Sequence, residues 1–183
     1  GCSSFNQPVT FKNTSNVTNM RGMFANGATN FNQSVSSLDT SNVTTMYKMF
    51  AGATNFNQSV SNFDTSNVTN MQGMFYNATN FNQDISNFDT SNVTDMYYMF
   101  ELAINFDQSV SNFDTSNVTD MRWMFSGATN FNQDIRDWNI SSLISSTNMF
   151  TGATEMIKTY TGESGFGTTP ELWFWNSHEE PEP

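Results

Sequence analysis

Apolar and polar positions follow a fixed order in the segment from Asp64 to Ala78. Its apolar members are Val68, Met71, Met74, Phe75 and Ala78. On a helix that turns about 100° per residue, these five side chains fall within an arc of about 120°. The polar residues that open the segment can accept hydrogen bonds from the free amides of a first helical turn. The pattern therefore predicts a capped amphipathic helix of about three turns, which is too short to be stable without neighbours.

The same segment recurs along the chain, which indicates that the neighbours are copies of it. Asp39, Asp89 and Asp114 each begin the same Asp-Thr-Ser-Asn-Val-Thr phrase, and looser copies begin at Asn13 and Asn139. A second phrase, Phe-Asn/Asp-Gln-x-Val/Ile, begins every 25 residues at Phe31, Phe56, Phe81, Phe106 and Phe131. A period of this size predicts a solenoid in which each unit covers the apolar face of the next.

The second phrase is too short for a helix, and Phe56 and Val60 share one side of an extended chain. It predicts a short strand stacked in parallel with its copies about 4.8 Å apart. Together the two phrases predict an α/β fold, a right-handed leucine-rich-repeat-like solenoid of about six strand–helix repeats of 25 residues. Gly22 and Gly73 would each destabilise their helix by about 1 kcal/mol relative to Ala. A solenoid made only of strands is therefore the alternative.

The repeat boundaries predict three segments. Residues 1–155 hold the repeats and begin in the middle of one, as expected for a fragment of a longer array. Residues 156–175 depart from the pattern and are rich in bulky apolar side chains, which is typical of a C-terminal cap. Residues 176–183 are acidic and contain Pro, which predicts a linker or tail.

Composition and charge remove several classes of function. The chain of 183 residues has a net charge of −11 and only six Lys and Arg, so nucleic acid and anionic membrane surfaces are poor partners. No apolar run approaches the roughly 18 residues needed to insert into a membrane. A single Cys excludes a disulfide framework and a Cys-based zinc site. The only His, His178, lies in the acidic tail, and no nucleophile or phosphate-loop motif is present. We therefore expect neither an enzyme nor a cofactor.

A column of carboxylates, one per repeat, is formed by Asp39, Asp64, Asp89 and Asp114. Each Asp precedes a predicted helix, where it would cap the free amides and meet the positive end of the helix dipole. Calcium shared between stacked carboxylates is a less favoured interpretation. Ice binding by the Thr columns that begin at Thr40 and Thr44 is also less favoured, because a helix start leaves no flat two-Thr surface. No metal site is predicted.

Columns that change from repeat to repeat predict the exposed surface. They contain Tyr47-Lys48, Gln72-Gly73, Tyr97-Tyr98 and Arg122-Trp123. On the predicted helix, Tyr98 and Trp123 point into solvent side by side on adjacent repeats, with Tyr97 and Arg122 at their edge. Exposed aromatic side chains beside an Arg have the composition of an interaction hot spot. These four residues are our candidate binding site, and the alternative is that the rings fold down over neighbouring repeats.

The phrases at Phe81-Asn82-Gln83-Asp84-Ile85, at 88–96 and at Met99-Phe100 carry a family resemblance. This repeated sequence, which recurs over roughly residues 2–156, resembles the BspA-like, leucine-rich-repeat-type surface protein family of bacteria and mycoplasmas. The resemblance implies an extracellular, surface-exposed module that adheres to a protein or glycan of a host or neighbouring cell. A passive spacer is the alternative. A spacer needs no variation between repeats, whereas a binding module should concentrate distinctive residues in one patch.

Overall fold

A computed structural model of the chain describes residues 4–25, 27–163, 166 and 173, and these residues form a stack of turns. One helix has defined bounds among these residues, α1, Thr154–Tyr160, and no helix there is long and apolar enough to cross a membrane. Adjacent repeats meet in parallel at one bridging residue each, in the pairs Asn19↔Thr45, Thr45↔Asn70, Asn70↔Asp95, Asp95↔Asp120 and Asp120↔Ser145. The repeats are therefore stacked in register, each residue lying against its equivalent in the next repeat.

The predicted α/β solenoid of strand–helix repeats is wrong. The segment 64–78, expected to be a helix, is a series of tight turns. One turn is closed by a hydrogen bond of 3.0 Å from Met74 N to Met71 O. Gly73 N instead donates to the carbonyl oxygen of Tyr97 in the next repeat, at 2.9 Å. A helix would keep all such bonds within one segment. Here alternate N–H groups bond to the neighbouring repeat instead.

The side chains that the sequence predicts to be buried are nevertheless buried. Val68, Met71, Met74, Phe75 and Ala78 are all fully inaccessible to solvent. The apolar spacing therefore identified the inner face correctly and assigned the wrong backbone conformation to it.

The predicted strand phrase is not a strand, so the strand-only solenoid is also not observed. Between 57 and 60 no backbone group of the described chain bonds to the backbone of a neighbouring repeat. Asn57 N donates to Asn32 Oδ1 at 2.9 Å, and Gln58 Nε2 donates to the same oxygen at 3.0 Å. A side-chain carbonyl thus takes the place of the backbone acceptor that a strand would use.

Two positions in every repeat have a left-handed backbone. The first set is Gly22, Lys48, Gly73, Tyr98, Trp123 and Asn148, and the second is Gly27, Gly52, Asn77, Leu102, Gly127 and Gly152. Each residue of the first set is the third residue of a turn closed by a backbone hydrogen bond, and a type II turn requires positive φ there. Gly22 and Gly73, unfavourable in a helix, therefore stand where glycine is unstrained.

The core is a continuous stack of phenylalanine rings. One column, Phe31, Phe56, Phe81, Phe106 and Phe131, has ring centroids 6.0 to 6.1 Å apart. A second column, Phe50, Phe75, Phe100 and Phe125, has a spacing of 5.6 Å. The columns touch within each repeat, as at Phe75 and Phe81, whose centroids are 3.9 Å apart. Each repeat thus buries the rings of the next, which makes its stability depend on its neighbours.

The stack ends on helix α1 and on aromatic residues beyond it. Met156 and Tyr160 are the buried residues of α1. The buried Trp173 ring lies 5.7 Å from Phe150 and 5.2 Å from Tyr160, centroid to centroid. These contacts cover the ring of Phe150, which extends the second Phe column at 6.2 Å from Phe125. The division into 1–155, 156–175 and 176–183 stays a prediction, and its last segment lies outside the described residues.

Candidate functional site

Side chains that differ between repeats gather on one face of the stack, and all but one of them lie two or three residues after a bridging residue. We call this surface the aromatic–basic strip; it consists of Arg21, Tyr47, Lys48, Tyr76, Tyr97, Tyr98, Arg122 and Trp123. It contains three of the six Lys and Arg residues of the chain and four of its five Tyr. In a chain with a net charge of −11, this concentration distinguishes the strip from the rest of the surface.

The bridging residue of each repeat fixes the backbone that carries the strip. Asp95 Oδ1 accepts the N–H of Tyr97 at 2.9 Å, and Asp120 Oδ1 accepts that of Arg122 at 3.0 Å. Local bonds of this kind compete with helix formation. They help to turn the chain away from a helical path and hold the strip residues in the same position in successive repeats.

Tyr98 lies along the stack and does not point straight into solvent as predicted. Its ring centroid is 4.0 Å from that of Tyr97 and 5.6 Å from that of Tyr76, and Lys48 Nζ is 5.2 Å away. The ring fills the space beside Gly73, because a Cβ built there would stand 2.3 Å from Cε2 of Tyr98. Burial raises the pKa of the Tyr98 hydroxyl to about 12. The Tyr98 side chain thus crosses the repeat that contains Gly73 and reaches Lys48, which is two repeats before its own.

Arg122 and Trp123 extend the strip by one repeat. The Arg122 guanidinium carbon lies 4.9 Å from the centroid of the Tyr97 ring, and its Nη2 pairs with Asp120 Oδ2 at 2.6 Å. Trp123 is half-buried, and within the described residues it makes no ring contact with Tyr98. The structure therefore brings Tyr97, Tyr98 and Arg122 together, with Trp123 in the adjacent repeat but not stacked on Tyr98.

At its other end the strip forms a cleft that sequence reasoning did not assign to the site. Arg21, Gly22, Ala25, Tyr47 and Lys48 line this cleft, which has a volume of about 370 Å³. Arg21 Cζ is 4.4 Å and Lys48 Nζ 5.3 Å from the centroid of the Tyr47 ring. Comparison of the repeats identifies Tyr47 and Lys48 as variable. Extending the same column to the first repeat would also have identified Arg21, which aligns with Arg122.

The Asp column does not cap helices, because no helix follows it in the described chain. Instead, Asp39 Oδ1 accepts hydrogen bonds from the backbone N–H of Ser41 at 3.1 Å and from its hydroxyl at 2.7 Å. The equivalent backbone bond is made at Asp64, Asp89 and Asp114. Hydrogen bonds from these Ser residues lower the pKa of Asp39, Asp89 and Asp114. Each carboxylate therefore stabilises a local Asx turn.

The two Thr columns differ in their exposure to solvent. The Thr40, Thr65, Thr90 and Thr115 side chains are buried, and the Thr40 hydroxyl donates to Asp64 O at 2.9 Å while accepting from Asp64 N at 2.8 Å. The hydroxyls of the Thr40 column therefore link adjacent repeats inside the stack. Of the two Thr columns, the one that begins at Thr44 faces solvent. Across the residues that the structure describes, no group of three or more His, Cys, Asp or Glu could hold a metal ion.

Stacked repeats around one aromatic core, with variable side chains on one face, define a repeat protein. The family described as "Mycoplasma protein of unknown function, DUF285" matches residues 1–100 and 59–162. The chain therefore belongs to this family, and the resemblance to a mycoplasma repeat family is confirmed at that level. No curated protein and no solved structure matches the chain.

Proposed function

We propose that this chain is a non-catalytic adhesion or ligand-binding module of a bacterial surface protein and that the aromatic–basic strip is its contact face. The finer resemblance, to BspA-like surface repeats, supports an extracellular location within a longer secreted or anchored protein. The partner would be a protein or glycan of a host or neighbouring cell. The observation that carries the proposal is the concentration of variable aromatic and basic side chains on one face of an otherwise uniform stack.

The strip has the physical properties of a binding surface. Tyr and Arg supply much of the binding energy at known interfaces. The contacts of Tyr98 with Gly73, Tyr97 and Lys48 hold its ring in place before any partner arrives. A side chain that is already ordered loses less conformational entropy on binding. The strip would therefore contact a partner with little rearrangement.

A passive spacer is the second candidate, and the regularity of the stack favours it. The Phe columns and the Asx turns keep the same geometry through successive repeats. Such regularity gives a rigid array without any ligand. A spacer, however, offers no reason for basic and aromatic residues to gather on one face of an acidic chain.

A binding screen with matched variants tests the proposal. The chain is applied to arrays of host-cell proteins and glycans, and the bound species are titrated with the parent and with the Tyr98→Ala/Trp123→Ala double variant. We expect binding to weaken roughly tenfold or more in the double variant. The control is Ile144→Ala, because Ile144 is 83% exposed and lies outside the strip. Melting temperatures of all three proteins establish that the fold is retained.

Two outcomes would contradict the proposal. If no protein or glycan binds, the spacer is favoured. If a partner binds the double variant as tightly as the parent, the contact face lies elsewhere on the stack.

A further inference from the structure

The cleft between the first two repeats exists because one left-handed glycine is uncovered. Gly22 and Gly73 occupy the same column with nearly equal φ, 61° and 59°. At Gly73 the ring of Tyr98 and the aliphatic chain of Lys48 fill the space that a side chain would take. At Gly22 a Cβ would meet only Ala25, at 3.7 Å. No side chain of the described residues covers Gly22, so the volume beside it is open to a ligand.

The two cations of this cleft are not neutralised by the protein. Within the described residues, three basic side chains are in ion pairs: Arg122 with Asp120, Arg136 with Asp134 and Glu163, and Lys158 with Glu155. Arg21 and Lys48 make no such pair there. Arg21 lies on the Tyr47 ring, whereas Lys48 lies on both the Tyr47 and the Tyr98 rings, and its interaction with the Tyr98 hydroxyl raises the pKa of its ammonium group. In a chain with 17 Asp and Glu, two cations that line the same cleft without an ion pair among the described residues provide a site with affinity for an anion.

The backbone N–H groups of the residues that line the cleft already donate hydrogen bonds within the protein. Gly22 N donates to Tyr47 O, and Lys48 N donates to Gln72 O, both at 2.9 Å. An extended peptide, which binds by pairing its backbone with a free edge, finds no free N–H donor among these residues. Recognition therefore depends on the guanidinium, the ammonium and the tyrosine ring. A sugar suits this set, because its hydroxyl and acidic groups accept hydrogen bonds while its C–H face lies against an aromatic ring.

The overall charge favours a ligand with spaced anionic groups over a dense polyanion. A net charge of −11 repels a nucleic acid or a highly anionic membrane. At physiological salt, however, repulsion from distant carboxylates is screened beyond roughly 8 Å. One carboxylate or sulfate group placed between Arg21 and Lys48 would feel mainly these two neighbours.

We propose that the Arg21–Tyr47–Lys48 cleft binds an acidic glycan, with Arg21 and Lys48 pairing with a carboxylate or sulfate group and Tyr47 contacting the sugar ring. This inference rests on the proposed function, because it names the class of ligand for one end of the strip. It adds Arg21, Tyr47 and Lys48 as ligand-binding residues.

The test measures binding of defined oligosaccharides to the full chain by calorimetry. The probes are a sulfated heparin hexasaccharide, a carboxylated hyaluronan hexasaccharide, neutral maltohexaose and a short poly-glutamate peptide. We expect at least one acidic sugar to bind, maltohexaose not to bind, and the affinity to fall as salt is raised. Binding of the heparin hexasaccharide alone would identify sulfate as the recognised group, and binding of the hyaluronan hexasaccharide would identify carboxylate.

Two variants probe the cleft directly, and each has a matched control. Arg21→Gln removes one cation and should weaken binding roughly tenfold or more, as expected for the loss of a charge-assisted hydrogen bond. Its control is Lys12→Gln, because Lys12 is also exposed and unpaired within the described residues but does not line the cleft. Gly22→Asn should block the cleft at a small cost in backbone strain, because Asn148 already has the same left-handed backbone in this column. Its control is Gly52→Asn, where a Cβ meets nothing within 4 Å.

The results separate this inference from the proposed function. Equal affinity of the parent, Arg21→Gln and Gly22→Asn for the acidic sugars would overturn the inference, as would equal binding of maltohexaose or tighter binding of poly-glutamate. If neither acidic sugar binds but another partner binds through Tyr98 and Trp123, the inference fails and the proposed function stands. If nothing binds in either experiment, both fail.

Discussion

The ring of Tyr98 occupies the volume that a side chain at Gly73 would need. A Cβ built on Gly73 lies 2.3 Å from Tyr98 Cε2 and 2.7 Å from Cδ2. The two residues are in adjacent repeats, so the absence of a side chain in one repeat determines where the ring of the next repeat lies. This relationship gives the strip its rigid part, and it can be tested by filling the space.

Gly73→Ala is expected to destabilise the fold more than Gly22→Ala. Both place Ala in a left-handed backbone, which costs roughly 1 kcal/mol. Only at Gly73 does the new methyl group also displace the Tyr98 ring, and such overpacking costs about 1 kcal/mol or more. Chemical denaturation measures the two free energies of unfolding. In the Tyr98→Ala background the difference between the two glycine sites should shrink, because only Lys48 Cγ, 3.2 Å from the added Cβ, then stays close. An unchanged difference would mean that Tyr98 does not fill this space.

Asn57→Asp is expected to be tolerated, whereas Asn57→Ala should destabilise the stack. Asn57 Oδ1 accepts two hydrogen bonds, from Asn82 N at 3.0 Å and from Gln83 Nε2 at 2.9 Å. Asp107 holds the equivalent position and accepts the same two bonds. Ala leaves both donors without an acceptor, at a cost of about 1–3 kcal/mol. Thermal unfolding of the two variants tests this, and equal melting temperatures would show that the hydrogen bonds accepted by Asn57 contribute nothing to stability.

Asp95→Asn is expected to stabilise the protein at neutral pH by less than about 1 kcal/mol, because solvent screens much of the effect at this half-buried site. Burial raises the pKa of Asp95 above its ordinary value of 3.8. The charged form is therefore disfavoured in the fold at every pH above the raised pKa. An Asn at position 95 would still accept the N–H of Tyr97 through its side-chain oxygen, just as Asn70 accepts the N–H of Gln72. The gain should fade as the pH falls through the raised pKa and disappear below 3.8, where Asp95 is protonated in both the folded and the unfolded state.

The matched variant for this pH series is Asp89→Asn, for which the sign is reversed. Hydrogen bonds from Ser91 lower the pKa of Asp89, so its charge stabilises the fold above the ordinary value of 3.8. That contribution is lost as the pH falls through the lowered pKa of the folded state. Asp89→Asn should therefore be slightly less stable than the parent at neutral pH, and the two should converge in acid. Urea unfolding across this pH range measures both variants, and a shift in the same direction for both would contradict the assignment.

Phe75→Asp is expected to unfold at least the repeats on either side of it. The Phe75 ring is fully buried and stacks at 5.6 Å on both Phe50 and Phe100. An uncompensated charge in this position has no partner. Phe75→Ala, which leaves a cavity, should cost about 3–5 kcal/mol. Ile144→Asp is the control, because Ile144 is 83% exposed and should change stability little. Calorimetric melting that leaves Phe75→Asp unchanged would disprove the stacked core.

The sequence by itself determined the repeat, its register and the identity of the buried side chains. These follow from composition at fixed positions: a column of Phe or Met at every twenty-fifth residue can be buried only by its own copies. Variation between copies also identified most of the strip, including Tyr97, Tyr98 and Arg122. None of this depends on the local backbone conformation, which is why it holds although the predicted helix does not.

Only the tertiary structure decided between a helix and a run of turns. The apolar spacing of Met71, Met74, Phe75 and Ala78 places all four on the core in either conformation. The choice depends on where the N–H of Gly73 finds its acceptor, which is Tyr97 O in the next repeat. The position of the Tyr98 ring and the open cleft at Gly22 likewise depend on residues in other repeats. Local pattern cannot report such partners, because the hydrogen bonds and contacts that select the conformation lie about 25 residues away along the chain.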